Sequence, residues 1–147
     1  MPLGPLVMDR SHFKSYKEIS KTEKPWGHEV IWANSAGSSD GYVAKLLFIK
    51  AGHKLSMQYH RDKEETIFVK SGILYIETFG RILDEKESLT SLRGKRKLIK
   101  LAPGGVFHIS PFFTHRFIAN ETHVELIEVS TKHLTDVVRI EDEYGRV

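Results

Sequence analysis

Short β-type segments separated by turn residues are the feature of this sequence that most restricts its fold. Segments rich in Val, Ile, Phe and Tyr, which favour strands, lie at residues 28–32, 42–50, 66–70, 73–79, 97–101, 106–109, 115–119 and 124–130. Turn-forming Gly, Asn, Ser and Pro residues separate them at 34–41, 70–72 and 102–105. Helical periodicity is hard to find, so the sequence predicts an all-β sandwich or barrel.

Size and composition narrow the range of partners. The 147 residues predict one domain. The 22 Lys and Arg against 19 Asp and Glu leave a net charge of +3, which argues against a nucleic-acid partner and suits an anionic small molecule. No apolar run approaches the roughly 20 residues that cross a bilayer, so we expect no membrane partner and a cytoplasmic protein. Met8 is a natural alternative start, which would make residues 1–7 a leader.

Gln58 and His60 are the most chemically informative pair in the chain. They lie two residues apart, with Glu65 five residues after His60 and His115 far downstream. Side chains at i and i+2 of a strand point to the same face, so Gln58 and His60 would point together and Tyr59 away from them. The chain has no cysteine, so any metal must be held by His, carboxylate or amide oxygen. This spacing predicts a metal site inside a β-barrel.

Two spaced motifs around these residues resemble those of the cupins. The spacing of the first cupin motif is matched by Gly52, Gln58, His60, Glu65 and Gly72. That of the second is matched by Gly104 and His115, although Phe112 stands where cupins usually have glycine. The resemblance implies a cupin double-stranded β-helix, which is a jelly-roll barrel, in a single domain.

The resemblance also divides the chain and implies a homodimer. We expect the cupin domain at residues 24–147 and an N-terminal extension at residues 1–23. Cupins commonly pair through an edge strand, and the strand-like segment around residues 11–19 would add to a neighbour's sheet.

Within the cupins, the chain resembles the mannose-6-phosphate isomerases. Residues 55–63 resemble the Leu-Ser-Ile-Gln-x-His-Pro-x-Lys signature of the zinc-dependent phosphomannose isomerases. Residues 24–27, 124–129 and 136–146 resemble the ends of the isomerase domain in bifunctional mannose-1-phosphate guanylyltransferase/isomerases. The resemblance implies a metal ion, either zinc or alternatively Fe²⁺, Mn²⁺ or Ni²⁺, held by Gln58, His60, Glu65 and His115. It also implies interconversion of mannose 6-phosphate and fructose 6-phosphate, within carbohydrate metabolism and polysaccharide biosynthesis.

Lys63 and Arg139 are the catalytic candidates that the resemblance favours, Lys63 through the signature and Arg139 through the C-terminal run. Either side chain could bind the phosphate of the substrate. Because a guanidinium binds phosphate through two hydrogen bonds, we expect Arg139 to do so. The base that moves a proton between carbons 1 and 2 is left open, with Lys54, Glu64 and His108 close to the motifs.

Two other functions fit the same residues. Two His and one carboxylate also form the Fe(II) site of oxygenases, with Gln58 as a weak fourth ligand. The third function is a non-catalytic cupin that binds a sugar or sugar nucleotide and partners a separate guanylyltransferase. Oxygen consumption with iron would indicate the oxygenase, and thermal stabilisation by ligand without turnover would indicate the binding module.

Further expectations concern the core and the C-terminal region. Residues 84–97 form a polar, highly charged segment between predicted strands. Residues 134–144 are expected to be a short helix or an extended tail. Seven aromatic residues are expected to fill the core: Trp26, Trp32, Phe48, Phe68, Tyr75, Phe107 and Phe117.

Overall fold

The fold was obtained as a computed structural model, which describes residue 4 and residues 14–35 and 40–147. Strands dominate these ranges. They are β1 (Lys21–Lys24), β2 (Gly27–Asn34), β3 (Tyr42–Ile49), β4 (His53–Lys54), β5 (Met57–Tyr59), β6 (Glu65–Ser71), β7 (Leu74–Thr78), β8 (Lys97–Leu101), β9 (Val106–Ile109), β10 (Arg116–Ala119), β11 (Val124–Thr131) and β12 (Val138–Glu141). A 3₁₀ turn lies at Tyr16–Glu18, and helix α1 covers Leu89–Arg93. The longest described helix therefore has five residues, and no described helix could span a membrane.

The strands form antiparallel sheets. A six-stranded sheet has the order β1-β2-β3-β11-β6-β9, a four-stranded sheet has the order β4-β10-β7-β8, and β12 pairs with β5. The turn between β6 and β7 requires Gly72, because its φ is 76° and a Cβ there would lie 1.9 Å from the carbonyl oxygen of His123. The all-β expectation is confirmed.

The main core lies between the two larger sheets. Strands of the six-stranded sheet contribute Leu47, Ile67 and Leu126, and strands of the four-stranded sheet contribute Ile76 and Phe117. All five side chains are buried. Alternation along the strands directs these apolar residues inward, as expected for two packed sheets.

A second apolar cluster lies outside the main core and positions β5. Met57 and Tyr59 of β5 pack there with Phe79, Ile82 and Leu92. Leu92 belongs to α1, so the charged segment at residues 84–97 provides part of this cluster. Because Met57 and Tyr59 are anchored on this side, Gln58 faces the opposite side of β5, as the alternation predicted.

The structure corrects some of these expectations and leaves others open. Trp32 and Phe68 are 50% and 43% exposed, so they do not fill the core. Phe48 and Tyr75 are half-buried and do not belong to the main core cluster. The predicted pairing strand at residues 11–19 falls partly outside the described residues, and its described part contains the 3₁₀ turn at Tyr16–Glu18. β1, most of which precedes residue 24, pairs with β2, and the division of the chain at residue 24 stays a prediction. Of the two alternatives for residues 134–144, the structure has no helix there and an extended segment that includes β12.

Candidate metal centre and cavity

Three predicted metal ligands converge inside the barrel. His60 follows β5, Glu65 begins β6, and His115 immediately precedes β10. One ligand atom from each lies within 4.8 Å of the other two. The Oε1 atom of Glu65 is 3.2 Å from Nε2 of His115 and 3.8 Å from Nε2 of His60. All three side chains are buried.

The contacts of the Nδ1 atoms determine the tautomer of His60 and His115. Nδ1 of His115 is 2.9 Å from the carbonyl oxygen of Phe113, and Nδ1 of His60 contacts the carbonyl oxygen of Asp136. A carbonyl oxygen can only accept a hydrogen bond, so we assign the proton of each neutral imidazole to Nδ1. Each Nε2 atom then carries a lone pair directed toward the site, and neither has a hydrogen-bond partner among the described residues.

Charge at the site agrees with this assignment. Burial lowers the pKa of His60 to about 4, so its ring is neutral at pH 7. Burial favours the protonated form of Glu65, but neighbouring groups, among them the ammonium of Lys63 at 2.7 Å, outweigh burial and lower the pKa of this carboxyl. Two imidazole lone pairs and a carboxylate oxygen thus face one another without a donor between them. These three atoms fit a divalent cation as its ligands, because a cation between them would stabilise lone pairs and negative charge that face one another.

Gln58 lies next to His115 across a β-bridge. The amide of each residue donates to the carbonyl of the other, at 3.0 and 2.8 Å. The side-chain oxygen of Gln58 accepts a hydrogen bond from Oγ of Ser56 at 2.7 Å. The role of Gln58 as a fourth ligand stays a prediction.

A cavity of about 160 Å³ opens beside the candidate metal centre. Gln58 and His60 line it, whereas Glu65 and His115 are more deeply buried and do not. Its wall is basic, with two carboxylates, Glu29 and Glu128, and five cationic side chains: Lys24, Lys45, Lys63, Arg139 and Arg146. This balance favours an anionic or strongly polar ligand.

Lys63, predicted to be catalytic, lies between the metal centre and the cavity. Its Nζ atom is 2.7 Å from Oε2 of Glu65 and 3.1 Å from Oε2 of Glu128. Burial disfavours its charged form, but the two carboxylates outweigh burial and raise the pKa of Lys63. The ammonium group therefore bridges a candidate metal ligand and a cavity carboxylate.

Arg139, the second predicted catalytic residue, is on β12 opposite Gln58 and lines the cavity. Its Nε atom is buried and has no hydrogen-bond partner in the part of the chain that the structure describes. It forms no salt bridge with any residue that the structure describes, unlike Arg146, which pairs with Asp142 at 2.9 Å. Arg139 is thus a cavity cation that is not neutralised by a nearby carboxylate of the described chain.

The other proposed bases lie elsewhere. Lys54 pairs with Glu143 at 2.8 Å, and His108 pairs with Glu64 at 3.0 Å on exposed positions. None of them lines the cavity beside His60.

Sequence comparison assigns the family. The sequence model of the D-lyxose isomerase family matches residues 30–139. The chain belongs to the D-lyxose isomerase family. The matched range contains His60, Glu65, His115 and the cavity residues Lys63 and Arg139. Membership of this family supports an enzyme of the sugar isomerase type. No curated protein sequence matches the chain.

Solved structures show that this member of the D-lyxose isomerase family has a cupin fold. It superposes on the capsular polysaccharide assembling protein CapF from Staphylococcus aureus with a TM-score of 0.65 and 15% identity, covering 84% of this chain and 34% of that one. Oxalate decarboxylase from Lactobacillus farciminis gives a TM-score of 0.63 and 13% identity, covering 86% and 35%. The chain therefore spans about a third of these proteins. The predicted cupin barrel is confirmed, and the narrower resemblance to mannose-6-phosphate isomerases stays a prediction.

Sequence reasoning missed two residues at this family member's site. One is Glu128, which lines the cavity from β11. Its sequence signal is a carboxylate on the same face of the strand as the apolar Val124 and Leu126. Asp136 accepts hydrogen bonds from the amides of Asp62 and Lys63 at 2.7 and 2.9 Å. No local signal identifies Asp136, because its partners are more than 70 residues away.

Proposed function

We propose that the protein is a metal-dependent isomerase that interconverts an aldose and a ketose, with mannose 6-phosphate and fructose 6-phosphate as the expected pair. The observation that carries this proposal is the convergence of His60, Glu65 and His115 beside a basic cavity of about 160 Å³. Membership of the D-lyxose isomerase family supports the reaction class.

Four side chains would hold the metal ion. They are Gln58, His60, Glu65 and His115, of which only Glu65 is ionised, so a divalent site would keep a net positive charge. A cation held there would act as a Lewis acid toward the two neighbouring oxygens that share negative charge in an enediolate. Because the reaction needs no electron acceptor, redox-inert zinc suffices, with Fe²⁺, Mn²⁺ and Ni²⁺ as alternatives.

The substrate class follows from stereochemistry and charge. D-lyxose and D-mannose have the same configuration at carbons 2, 3 and 4, so one site can present carbons 1 and 2 of either sugar in the same way. Phosphate on the far end of mannose would suit the basic cavity, and Arg139 is its proposed ligand because its buried Nε lacks a partner. Two hydrogen bonds from a guanidinium would orient the phosphate and thus the sugar.

Lys63 contributes positive charge at the reacting end. Its ammonium group is held by Glu65 and Glu128 at the boundary of the cavity. We propose that it stabilises the oxygen on which negative charge develops, since a fixed cation in a buried site favours that charge more than the neutral sugar.

Metal removal and reconstitution test the proposal. Protein freed of metal by a chelator should not interconvert mannose 6-phosphate and fructose 6-phosphate, or D-lyxose and D-xylulose, and added Zn²⁺ should restore the reaction with at least one pair. His115→Ala should prevent reconstitution, whereas His108→Ala, a change to an exposed histidine, should not. Failure of the metal-loaded protein to convert either sugar would contradict the proposal, and binding without turnover would favour a non-catalytic sugar-binding cupin.

The composition of the ligand group also supports a second candidate, an Fe(II)-dependent oxygenase. His60, Glu65 and His115 are the two His and one carboxylate that such enzymes use. Oxygen consumption by the iron-loaded protein in the presence of an organic substrate, and none by the zinc-loaded protein, would favour the oxygenase.

A further inference from the structure

Glu128 has a buried carboxyl group to which the proposed function assigns no chemical role. It lies on the inward side of β11, is 5% exposed and lines the cavity. Its Oε2 atom accepts a hydrogen bond from Lys63 at 3.1 Å, and Oε1 accepts none from the residues that the structure describes. The carboxyl group therefore has one oxygen held in place by Lys63 and one without a hydrogen bond from any described residue.

We propose that Glu128 is the catalytic acid–base of the isomerisation and carries the proton between carbons 2 and 1 of the sugar. This inference rests on the proposed function and adds the residue that performs its proton transfer. Besides the charge that it contributes at the reacting end, Lys63 positions Glu128, because its ammonium group fixes Oε2 and leaves Oε1 for the substrate.

The step is balanced without any further reactant. The carboxylate of Glu128 removes the proton from carbon 2 of the open-chain aldose, and the electron pair of the C–H bond forms the carbon 1–carbon 2 double bond while the carbonyl oxygen at carbon 1 becomes negative. The hydroxyl proton at oxygen 2 then moves to oxygen 1, the carbonyl forms at carbon 2, and the protonated carboxyl returns its proton to carbon 1. The product is the ketose, and Glu128 is again a carboxylate.

Position favours Glu128 over the other carboxylates. Glu29 also lines the cavity, but it pairs with Lys45 at 3.4 Å and with Lys24 at 3.6 Å. Glu65 is assigned to the metal centre, and Glu64 is exposed. Among the described carboxylates that line the cavity, Glu128 is the one that lies adjacent to the reacting end of the substrate and also has an oxygen without a hydrogen bond.

The electrostatic setting suits a group that must gain and lose a proton. Burial raises the pKa of Glu128 to about 7, and the charge of Glu65 acts in the same direction. Lys63 and Lys45 oppose this rise. A pKa near the working pH is favourable for general acid–base catalysis, because both protonation states are then accessible.

Glu128→Gln tests the proposal, because the amide keeps the shape of the side chain and cannot accept a proton. The probes are D-mannose 6-phosphate and D-lyxose with zinc-loaded protein in D₂O, with product formation and deuterium at carbons 1 and 2 followed by NMR. Metal content by atomic emission and fructose 6-phosphate binding by calorimetry are measured on the same samples. Glu125→Gln is the matched control, since Glu125 is on the same strand and pairs with Lys70 at the surface.

Glu128→Gln is expected to lower kcat at least about 100-fold, the usual contribution of a positioned acid–base, and to abolish exchange at carbon 2. Metal content and ligand affinity should stay within threefold of wild type, and the control should resemble wild type throughout. Glu128→Gln protein that keeps its rate or its exchange would overturn the inference, as would a loss of metal or ligand binding that parallels the loss of rate.

Two further outcomes are decisive. Should Glu128→Gln fail to fold, Glu128→Asp decides, because its carboxyl is one methylene shorter: a lower rate with unchanged binding supports the inference, and a wild-type rate overturns it. Zinc-loaded wild-type protein that converts neither sugar overturns the proposed function and this inference together, whereas conversion by both wild type and Glu128→Gln overturns this inference alone.

Discussion

Phe112 adopts a backbone conformation that usually belongs to glycine. Its φ is 65°, in the left-handed region that is unfavourable for a residue with a bulky side chain. Its amide donates to the carbonyl of His60 at 2.7 Å, and its carbonyl accepts from Ile82 at 2.7 Å. Its ring also stacks on Tyr59 at 5.9 Å between centroids. The strained residue therefore fixes the backbone of a candidate metal ligand, and the loop keeps the glycine-like turn of the cupin motif.

Arg139 provides the first prediction at the residue scale. Arg139→Gln should raise the KM for mannose 6-phosphate by about 10- to 100-fold, since a hydrogen bond to a charged group contributes about 1.5–3 kcal/mol. It should leave kcat and the KM for unphosphorylated D-lyxose nearly unchanged, because those depend on the reacting end. Steady-state kinetics with both sugars measure this.

Arg81→Gln is the control for Arg139→Gln, because Arg81 is exposed and lies away from the cavity beside His60. Equal losses with the phosphorylated and the free sugar would contradict the assignment of Arg139 to phosphate.

The residues at the site differ in how far sequence could predict them. His60, Glu65 and His115 were recognisable because each of the two motifs is a short, local pattern of spacing, whereas Gln58 as a fourth ligand stays a prediction. The tautomers of the two histidines were not, since they depend on backbone carbonyls such as that of Asp136, which is 76 residues from His60. Glu128 was detectable only as a charge on the inward side of an apolar strand.

At the scale of elements, the segment between β11 and β12 holds the turn that carries Lys63. The carboxylate of Asp136 in this segment accepts hydrogen bonds from the amides of Arg61, Asp62 and Lys63 at 3.2, 2.7 and 2.9 Å. Burial favours the protonated form of Asp136, but the three amides outweigh it and lower the pKa of this carboxyl. One side chain thus joins the C-terminal part of the chain to the metal-binding turn.

Asp136→Asn should weaken this connection, because the amide group presents a donor where the carboxylate accepts. At pH 7, the metal-free variant should be less stable than wild type by about 0.5–1.5 kcal/mol, the net contribution of a hydrogen bond at a position that water can reach. Because the pKa of Asp136 is lower in the folded protein, its contribution is present above the unfolded pKa and is lost as pH falls through the folded pKa. The difference between variant and wild type should therefore shrink below about pH 4.

Urea unfolding of both metal-free proteins at pH 7 and pH 3 measures this difference. Asp62→Asn is the control, since the carboxylate of Asp62 forms no hydrogen bond with the described residues and only its amide contacts Asp136. A stability difference that does not depend on pH would show that the carboxylate charge is not responsible.

Sequence predicted the long strands better than the short ones. The patterns at residues 42–50 and 124–130 correspond closely to β3 and β11, because each is a long run rich in residues that favour strands. β4 and β5 have two and three residues, too few for a periodic signal, and they depend on partners in β10 and β12. The exposed Trp32 and Phe68 were misassigned because an aromatic residue in a strand does not by itself indicate which face it occupies.

At the scale of the whole molecule, the outer face of the six-stranded sheet exposes apolar side chains on neighbouring strands. Phe68 of β6 pairs with Val106 of β9 and with Ile127 of β11, and Phe68 and Val106 are both exposed. We expect this face to contribute to the homodimer predicted from the sequence, because dimerisation would remove apolar surface from water. Sedimentation velocity should show a dimer, and Phe68→Glu should raise the monomer fraction. A monomeric wild-type protein at micromolar concentration would contradict the prediction.

Metal binding should stabilise the whole molecule, because the three acceptor atoms are brought together only in the folded chain. A cation present at 100 times its Kd adds about 2.7 kcal/mol, which corresponds to a rise in Tm of roughly 5–10 °C for a domain of this size. Calorimetry of metal-free protein with and without Zn²⁺ measures the rise. His115→Ala should lower it to near zero whatever the stability of the variant itself, whereas His108→Ala should retain it, since His108 lies on the exposed side of β9. An equal rise in all three proteins would place zinc binding outside the centre formed by His60, Glu65 and His115.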